Sequence, residues 1–402
     1  MNVRISPSKA RGIIEAPPSK SMAHRALICA ALSDKSVVKN IALSQDIKAT
    51  LYCLEALGAN IEKSENRIKI GSLNPLKVEE NVEICCNESG STLRFMLPLC
   101  MLSGEKIKLT GSKRLFERPL SVYEDICKKQ GILFEKNEDS VTVCGTLKSG
   151  DYSVRGDISS QFISGLLFAL PLLKGNSTLT VTGKFESAAY VDLTISALKA
   201  FGIKIKRKDK TFYINGSQKY RNHTYSVEGD YSNAAFLDAF NLLGGKVKVS
   251  GLKKNSLQGD KVYKDIYRAL KSGEKEFDLS DCPDLAPILF TLAAVFGGCK
   301  FTGTARLKIK ESDRAAAVCK ELSKFCVDSE IFENEVIIKE SKISTPTEKI
   351  CAHNDHRIVM SMAVLLSKFG GEIEAVEAVN KSYPDFFETI KKLKVGLEIY
   401  ED

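Results

Sequence analysis

The chain has 402 residues, of which 44% are hydrophobic and 27% are charged, an ordinary composition for a folded protein with room for two domains. Its formal net charge of +8 is spread along the chain, and the densest basic run, residues 204–210, lacks the interleaved aromatic side chains on which nucleic-acid bases stack, so no nucleic-acid partner is expected. Neither a signal segment nor a run of about 18 apolar residues is present, so we expect no membrane association.

The cysteines indicate the redox environment. The chain contains 12 of them, and most lie singly in apolar segments, as at Cys29, Cys53, Cys100, Cys127 and Cys319. Reduced core thiols have this distribution, whereas paired cysteines at regular spacing are typical of small secreted proteins. We therefore expect a cytoplasmic protein.

One pattern recurs along the chain: a polar opening that carries Ser, Asp or Asn, followed by an apolar run. The openings lie about 70 residues apart, or about 50 between the fourth and the fifth, which is too long for a solenoid and suits a small folding unit. In chain order they occupy residues 19–25, 87–92, 156–161, 229–233, 281–284 and 354–357. The sequence therefore predicts six copies of one module.

Each copy continues in the same way. In the third copy the apolar run leads to a β-prone segment at residues 178–181, an amphipathic segment at 192–201 and a second β-prone segment at 203–206. Helix, strand, helix and strand, completed by further strands, predict a mixed α/β fold of βαβαββ-type modules.

The openings also predict where anions bind. Ser, Asp and Asn favour helix N-caps, and free N–H groups with the helix dipole attract anions at helix N-termini. The predicted caps are Ser21, Ser91, Ser160, Ser232 and Asn354. Several such ends meeting at one place favour a multiply anionic ligand.

Metal and nucleotide sites are not expected. Cys351, His353 and His356 have a spacing that a metal could use, but no second ligand pair stands nearby and the adjacent Asn354 and Asp355 are typical of a helix cap. Neither a dinucleotide-binding glycine fingerprint nor a phosphate-loop lysine pattern occurs.

Arginine residues lie at the borders of the apolar runs. Arg25 follows Ser21 by one helical turn, Arg118 precedes a proline, and Arg314 follows Glu311 by three residues. Any single one of these is as consistent with a surface salt bridge as with a ligand. Together, at the module openings, they favour binding of phosphate or carboxylate groups, whose oxygens match the guanidinium fork.

Seven motifs, in this order, closely resemble the 5-enolpyruvylshikimate-3-phosphate synthase family over essentially the whole chain. They are Pro17-Pro18-Ser19-Lys20-Ser21 with Arg25, Ser89-Gly90-Ser91-Thr92-Leu93-Arg94, Glu117-Arg118-Pro119, Ser159-Ser160-Gln161-Phe162, Lys310-Glu311-Ser312-Asp313-Arg314, Asn354-Asp355-His356-Arg357 and Lys381-Ser382-Tyr383-Pro384-Asp385.

The resemblance implies a two-domain fold. Each domain would be an inside-out α/β barrel of three modules, which accounts for the six copies. One domain would consist of residues 1–18 and 229–402, and the other of residues 19–228, with the active site in the cleft between them.

The resemblance also implies the reaction. The enolpyruvyl group of phosphoenolpyruvate moves to the 5-hydroxyl of shikimate 3-phosphate by addition and elimination, with release of phosphate, in the shikimate pathway to chorismate and the aromatic amino acids. Two small-molecule substrates, no metal or organic cofactor, and a monomer are expected.

Site residues are carried over by position in the matching motifs. The implied catalytic residues are Asp284, Glu311 and Lys20. The implied shikimate 3-phosphate site consists of Lys20, Ser21, Arg25, Ser159, Ser160, Gln161, Ser187, Tyr190, Asp284 and Lys310. The implied phosphoenolpyruvate site consists of Lys20, Gly90, Arg118, Gln161, Arg314, His356, Arg357 and Lys381.

Two alternatives stay open. The enolpyruvyl transferase that acts on UDP-N-acetylglucosamine shares the implied architecture, but opens with a Lys-Asn pair where this chain has Ser19-Lys20-Ser21. A non-catalytic anion-binding protein would keep the cations but would gain nothing from Asp284 and Glu311, because carboxylates repel an anionic ligand.

Overall fold

The computed structural model describes residues 1–401. The chain forms two compact units, one made of Met1–Pro17 together with the chain from Gly229 onward and the other of Pro18–Glu228. A helix able to cross a lipid bilayer does not occur within residues 1–401.

The strands are β1 (Asn2–Ser6), β2 (Arg11–Glu15), β3 (Ser36–Lys39), β4 (Asn60–Ser64), β5 (Arg67–Gly71), β6 (Val82–Cys85), β7 (Gly104–Thr110), β8 (Leu133–Lys136), β9 (Ser140–Gly145), β10 (Asp151–Arg155), β11 (Ser177–Thr182), β12 (Ile205–Lys208), β13 (Thr211–Ile214), β14 (Thr224–Ser226), β15 (Lys246–Ser250), β16 (Glu276–Asp278), β17 (Cys299–Thr302), β18 (Ser329–Ile331), β19 (Glu335–Ile338), β20 (Ile350–Cys351), β21 (Gly371–Glu374) and β22 (Gly396–Tyr400).

The α-helices are α1 (Lys20–Ala31), α2 (Gln45–Ala56), α3 (Gly90–Cys100), α4 (Lys113–Glu117), α5 (Ser121–Gln130), α6 (Ser160–Ala169), α7 (Ala188–Ala200), α8 (Tyr231–Leu242), α9 (Tyr263–Lys271), α10 (Ala286–Val295), α11 (Arg314–Ser323), α12 (His356–Phe369) and α13 (Phe386–Lys392). Short 3₁₀ segments include Pro283–Leu285, Ala305–Ile309 and Val376–Lys381.

The unit of residues 18–228 repeats one sheet topology. Its sheets have the strand orders β6-β7-β9-β8, β10-β11-β13-β12 and β14-β3-β5-β4, and in each the first two strands run parallel while the remaining neighbours are antiparallel. In β7, Ile107 and Leu109 are buried while Lys106 and Lys108 are exposed, so one face of this sheet packs on the core. Helices α1, α3 and α6 are almost wholly buried, which places apolar helices inside and sheets around them.

The other unit uses the same topology with one shortened copy. The orders β16-β17-β19-β18 and β20-β21-β1-β22 match those above, with amino-terminal β1 inserted beside β21. The third sheet pairs only β15 with β2 within residues 1–401, because α9 leads through residues 272–275 directly into β16. The missing hairpin accounts for the short interval between the fourth and fifth openings. The mixed α/β fold of repeated modules is otherwise as the sequence predicts.

The side chain of Asn241 forms hydrogen bonds with the edge of β15 that faces away from β2. Lys246 donates its backbone N–H to Ala10, so Val247, one residue further on, presents its backbone to the opposite edge. There the amide of Asn241 accepts from Val247 N at 2.7 Å and donates to Val247 O at 2.9 Å. Asn241 thus takes the two hydrogen bonds that a further strand would form.

Asn241→Ala is expected to lower the free energy of unfolding by about 1–3 kcal/mol, because it leaves two backbone groups of the buried residue Val247 without partners. Urea denaturation followed by circular dichroism measures the change. The control is Asn255→Ala, at an exposed position, which should stay within about 0.5 kcal/mol of the parent. Equal midpoints for the two variants would contradict the role given to Asn241.

The predicted cap positions were wrong by one or two residues. The observed N-caps are Ser19, Ser89, Ser159, Asp230 and Asp355. Each opening contains two or three residues able to cap, and only the backbone decides which one is extended while the next becomes helical. The helix N-termini nevertheless lie at the predicted openings, and Cys29, Cys53, Cys100, Cys127 and Cys319 are buried free thiols.

Candidate active site

In the unit of residues 18–228, Arg25 is a buried cation held by neutral groups. Its Nε donates to Thr194 Oγ1 at 2.8 Å, Nη1 to Ser21 O at 2.7 Å and Nη2 to Tyr190 O at 2.9 Å. The guanidinium also lies 5.2 Å from the ring centre of Phe95. Burial lowers the pKa of Arg25 to about 10, so the group stays charged at neutral pH. This buried positive charge, contacted by neutral oxygens, is suited to an anionic ligand.

A second cationic group lies at the start of α3. Gly90 is the first residue of α3, and the Arg118 guanidinium packs so closely over it that a Cβ built on Gly90 would lie 2.5 Å from Arg118 Nη1. Burial, and then the charge of Arg118, hold the pKa of Arg94 well below its ordinary value. Two neighbouring guanidinium groups at a helix N-terminus favour the binding of a phosphate or carboxylate group.

Two hydrogen bonds hold the side-chain amide of Gln161. Its Oε1 accepts from Arg94 Nη1 at 3.0 Å and its Nε2 donates to Ser91 Oγ at 2.9 Å. Gln161 lies in the first turn of α6, whose N-cap Ser159 accepts from the Gln161 N–H at 3.3 Å. The partners of Arg94 are thus neutral groups, the amide of Gln161 and, through Nη2 at 3.1 Å, the backbone carbonyl of Pro119.

Lys20 has a carboxylate partner that the sequence analysis missed. Its Nζ lies 2.6 Å from Asp46 Oδ2, and both side chains are largely buried. Asp46 is in the first turn of α2, where an acidic residue is commonly explained by the helix dipole alone, so no signal in the sequence distinguished it.

Gly90→Ala is expected to raise KM for an anionic ligand of this group about tenfold or more, because the added methyl displaces the Arg118 guanidinium. Steady-state kinetics with varied phosphoenolpyruvate measures this. As a control, Gly58→Ala places a methyl where no atom of the described chain beyond Gly58 and its two neighbours lies within 4 Å, and Gly58 has a φ of +101°, so any change there reflects backbone strain alone. A parental KM for Gly90→Ala would contradict the close approach.

In the other unit, Asp284 lies among three cations. Its Oδ1 is 2.8 Å from Arg314 Nη1 and 3.2 Å from Lys310 Nζ, and its Oδ2 is 3.0 Å from Arg357 Nη2. Burial alone would raise the pKa of Asp284, but Arg357, Lys310 and Arg314 outweigh burial and hold it well below its usual range. Asp284 is therefore a carboxylate in this cluster.

A second acidic side chain adjoins this cluster. Glu311 Oε2 lies 2.8 Å from His356 Nδ1 and 3.6 Å from Arg314 Nη2. The buried Asp355, interpreted from sequence only as a cap, bonds Arg314 Nε at 2.8 Å and also accepts from the Arg357 N–H at 3.0 Å. Asp355 is thus both the N-cap of α12 and the carboxylate that orients Arg314.

Among residues 1–401, Glu311, Asp355 and His356 bring three possible metal-ligand atoms within 4.8 Å of one another. Cys351 and His353 are not part of this group, and His353 Nε2 instead lies 2.7 Å from Glu321 Oε1. Because Asp355 is already bonded to Arg314 and to the start of α12, the group is better explained as an acid–base cluster than as a metal centre.

The predicted site residues divide between the units. Residues 18–228 contain Lys20, Ser21, Arg25, Gly90, Arg118, Ser159, Ser160, Gln161, Ser187 and Tyr190. The other unit contains Asp284, Lys310, Glu311, Arg314, His356, Arg357 and Lys381. Within the second group Asp284, Lys310, Glu311, Arg314, His356 and Arg357 form one connected cluster, and Lys381 bonds Asn354 O, beside that cluster.

Comparisons with known proteins agree on one family. Residues 5–390 match the family described as EPSP synthase (3-phosphoshikimate 1-carboxyvinyltransferase). The chain is 43% identical over 424 aligned residues to the 3-phosphoshikimate 1-carboxyvinyltransferase of Clostridium kluyveri, covering 99% of this chain and 98% of the relative. It is 42% identical to that of Clostridium novyi, covering 98% and 97%.

Solved structures show the same fold. The EPSP synthase of Acinetobacter baumannii superimposes over 100% of both chains with a TM-score of 0.77 at 23% sequence identity. The match along nearly the full length, together with the relatives above 40% identity, shows that this chain belongs to the EPSP synthase family.

Proposed function

We propose that this chain transfers the enolpyruvyl group of phosphoenolpyruvate to the 5-hydroxyl of shikimate 3-phosphate and releases phosphate, in the shikimate pathway. Membership of the family supports the reaction. The observation that carries the proposal is Asp284, a partly buried carboxylate among Lys310, Arg314 and Arg357, beside the Glu311–His356 pair. Addition of a hydroxyl to an enol phosphate needs a base, an acid and cations, and this cluster contains all three kinds of group.

The acceptor, shikimate 3-phosphate, binds mainly to residues 18–228. Arg25 supplies a buried positive charge that contacts neutral oxygens and is suited to a phosphate. Ser159 and Ser160 supply hydroxyls and free N–H groups at the start of α6, and Ser187 begins α7. Ser21, Tyr190 and Gln161 complete this side, while Lys20, Asp284 and Lys310 act near the reacting hydroxyl.

The donor, phosphoenolpyruvate, carries a phosphate and a carboxylate. Gly90 and Arg118, with Lys20 and Gln161, form one cationic group suited to the phosphate. Arg314, Arg357, Lys381 and His356 form another, suited to the carboxylate. We propose that both groups bind the same donor molecule.

Asp284 accepts the proton of the 5-hydroxyl. Its low pKa makes it a weak base while Arg314 and Arg357 remain paired with it. A bound donor carboxylate competes for these two guanidiniums and so raises the pKa of Asp284 towards the working pH. Binding of the donor therefore activates the base.

Glu311 delivers a proton to the methylene carbon of the donor, with Lys20 assisting. His356, 2.8 Å from Glu311, holds the carboxyl group in place and balances its charge. After addition, Glu311, now a carboxylate, takes a proton back from the methyl carbon while the C–O bond to phosphate breaks, which restores the C=C double bond. The leaving phosphate takes the proton from Asp284, and the cations stabilise the charge that develops on it. This sequence of steps uses no metal or organic cofactor.

Release of phosphate tests the proposal. Purified protein with phosphoenolpyruvate should release phosphate only when shikimate 3-phosphate is present. Release with UDP-N-acetylglucosamine instead would identify the other transferase, and binding of both substrates without release would indicate an anion-binding protein.

We further propose that the protein is a cytoplasmic monomer. Light scattering of the purified protein tests whether it is a monomer.

A further inference from the structure

Two contacts one helical turn apart join α1 to α2. The outer contact is the ion pair of Lys20 Nζ with Asp46 Oδ2 at 2.6 Å. The inner contact is a hydrogen bond between His24 Nδ1 and Thr50 Oγ1 at 2.7 Å. Lys20 and His24 are four residues apart on α1, as are Asp46 and Thr50 on α2, so each pair shares a helix face.

The inner contact continues to α3. Thr50 Oγ1 lies 2.7 Å from Thr92 Oγ1, and Thr92 Oγ1 lies 2.7 Å from Ser89 Oγ. Ser89 is the N-cap of α3 and precedes Gly90. The series His24, Thr50, Thr92 and Ser89, here called the hydroxyl chain, therefore connects α1 and the middle of α2 to the start of α3.

The hydroxyl chain is buried and neutral. His24, Thr50 and Thr92 are 0% exposed and Ser89 is 1% exposed. Burial, and then the nearby Lys20 and Arg25, hold the pKa of His24 well below its ordinary value. The imidazole packs edge-on near Phe95, and Thr50 is the partner of its Nδ1, whereas its Nε2 has no hydrogen-bond partner among the residues that the structure describes. Sliding α1 along α2 would break the one hydrogen bond of a buried imidazole, so the inner contact holds the two helices in register.

We propose that the hydroxyl chain is a positioning device for the donor half-site: it sets Lys20, at the start of α1, relative to Gly90, at the start of α3. The inference rests on the proposed function, because it assigns both residues to the binding of phosphoenolpyruvate. No residue of the hydroxyl chain is a catalytic residue. They act through the Lys20–Asp46 contact and through the cap that holds the first turn of α3.

Thr50→Val is the decisive variant, since it removes the central hydroxyl at nearly constant volume, and Thr50→Ser restores it. Loss of the hydroxyl should raise KM for phosphoenolpyruvate about tenfold and KM for shikimate 3-phosphate by a clearly smaller factor, because Lys20 is assigned to both substrates but Gly90 to the donor alone. Thr50→Ser should return the donor KM to within about threefold of the parent.

The matched control is Thr291→Val. Thr291 is also 0% exposed, but its hydroxyl bonds only to Pro287 O within its own helix, so both KM values should stay within about twofold. Thermal unfolding, followed for every variant, verifies that the protein is folded at the assay temperature.

The outcomes separate the two proposals. A parent enzyme that releases no phosphate overturns the proposed function and this inference with it. An active parent with an unchanged donor KM in Thr50→Val, or with both KM values raised equally, overturns the positioning role alone. If the Thr50→Val protein is unfolded, Thr50→Ser and the more conservative Thr92→Ser decide instead. Both variants keep the hydroxyl, so a tenfold rise in KM for phosphoenolpyruvate in either one would also contradict the proposal.

Discussion

Asp284→Asn is expected to lower kcat by about 10²–10⁴-fold, because the variant retains the shape of the side chain but cannot accept the proton of the attacking hydroxyl. Asp284 is also the shared partner of Lys310, Arg314 and Arg357. Stopped assays of phosphate release, with both substrates saturating, measure the effect on kcat apart from any change in binding.

The Asp284→Asn protein should still fold. Arg314 keeps its 2.8 Å contact with Asp355. Arg357 keeps its hydrogen bonds to Ser232 Oγ at 2.7 Å and to the backbone carbonyl of residue 284 at 3.0 Å. Neither buried cation is therefore left without an acceptor. Asp125→Asn, on the exposed side of α5, is the control. A variant at position 284 with near-parental kcat would remove Asp284 from the role of base.

Glu311→Gln should lower kcat by a factor similar to that expected for Asp284→Asn, because the amide cannot give a proton to the methylene carbon. The Gln side chain can still bond His356 and remain near Arg314, so binding of both substrates should be preserved. A direct test is exchange of solvent deuterium into the methylene group of phosphoenolpyruvate, measured by NMR in the presence of shikimate 3-phosphate.

Exchange reports the proton transfer itself, independently of phosphate release. The parent and the exposed-site control Glu333→Gln should both support it, and Glu311→Gln should not. If Glu311→Gln exchanges deuterium at the parental rate, another group supplies the proton, and His356 would be the nearest candidate.

Much of the fold could be predicted because each module has a local sequence pattern. The polar opening, the apolar run and the β-prone segment are short-range features, and helices α3 and α6 with strand β11 begin within a few residues of the predicted positions. The positions of the N-caps could not be predicted, since Ser89 and Ser91 are equally able to cap and only the backbone selects one.

The shortened module shows a different limit. The sequence shows an interval of only about 50 residues between the fourth and fifth openings, but the loss of a hairpin from the fourth copy was not predicted, because strand pairing depends on distant segments. The same holds for Asn241, whose role as partner of the β15 edge follows only once β2 is known to occupy the opposite edge.

The sequence by itself determined the module repeat, the family and the residue types available for chemistry, because these depend on the order of residues along the chain. Only the tertiary structure decided which polar side chains are paired: Lys20 with Asp46, Arg314 with both Asp284 and Asp355, and His24 with Thr50. Each of these contacts joins residues 26 to 41 positions apart. Their energies depend on burial and distance, which the packing of helices sets and which no local pattern records.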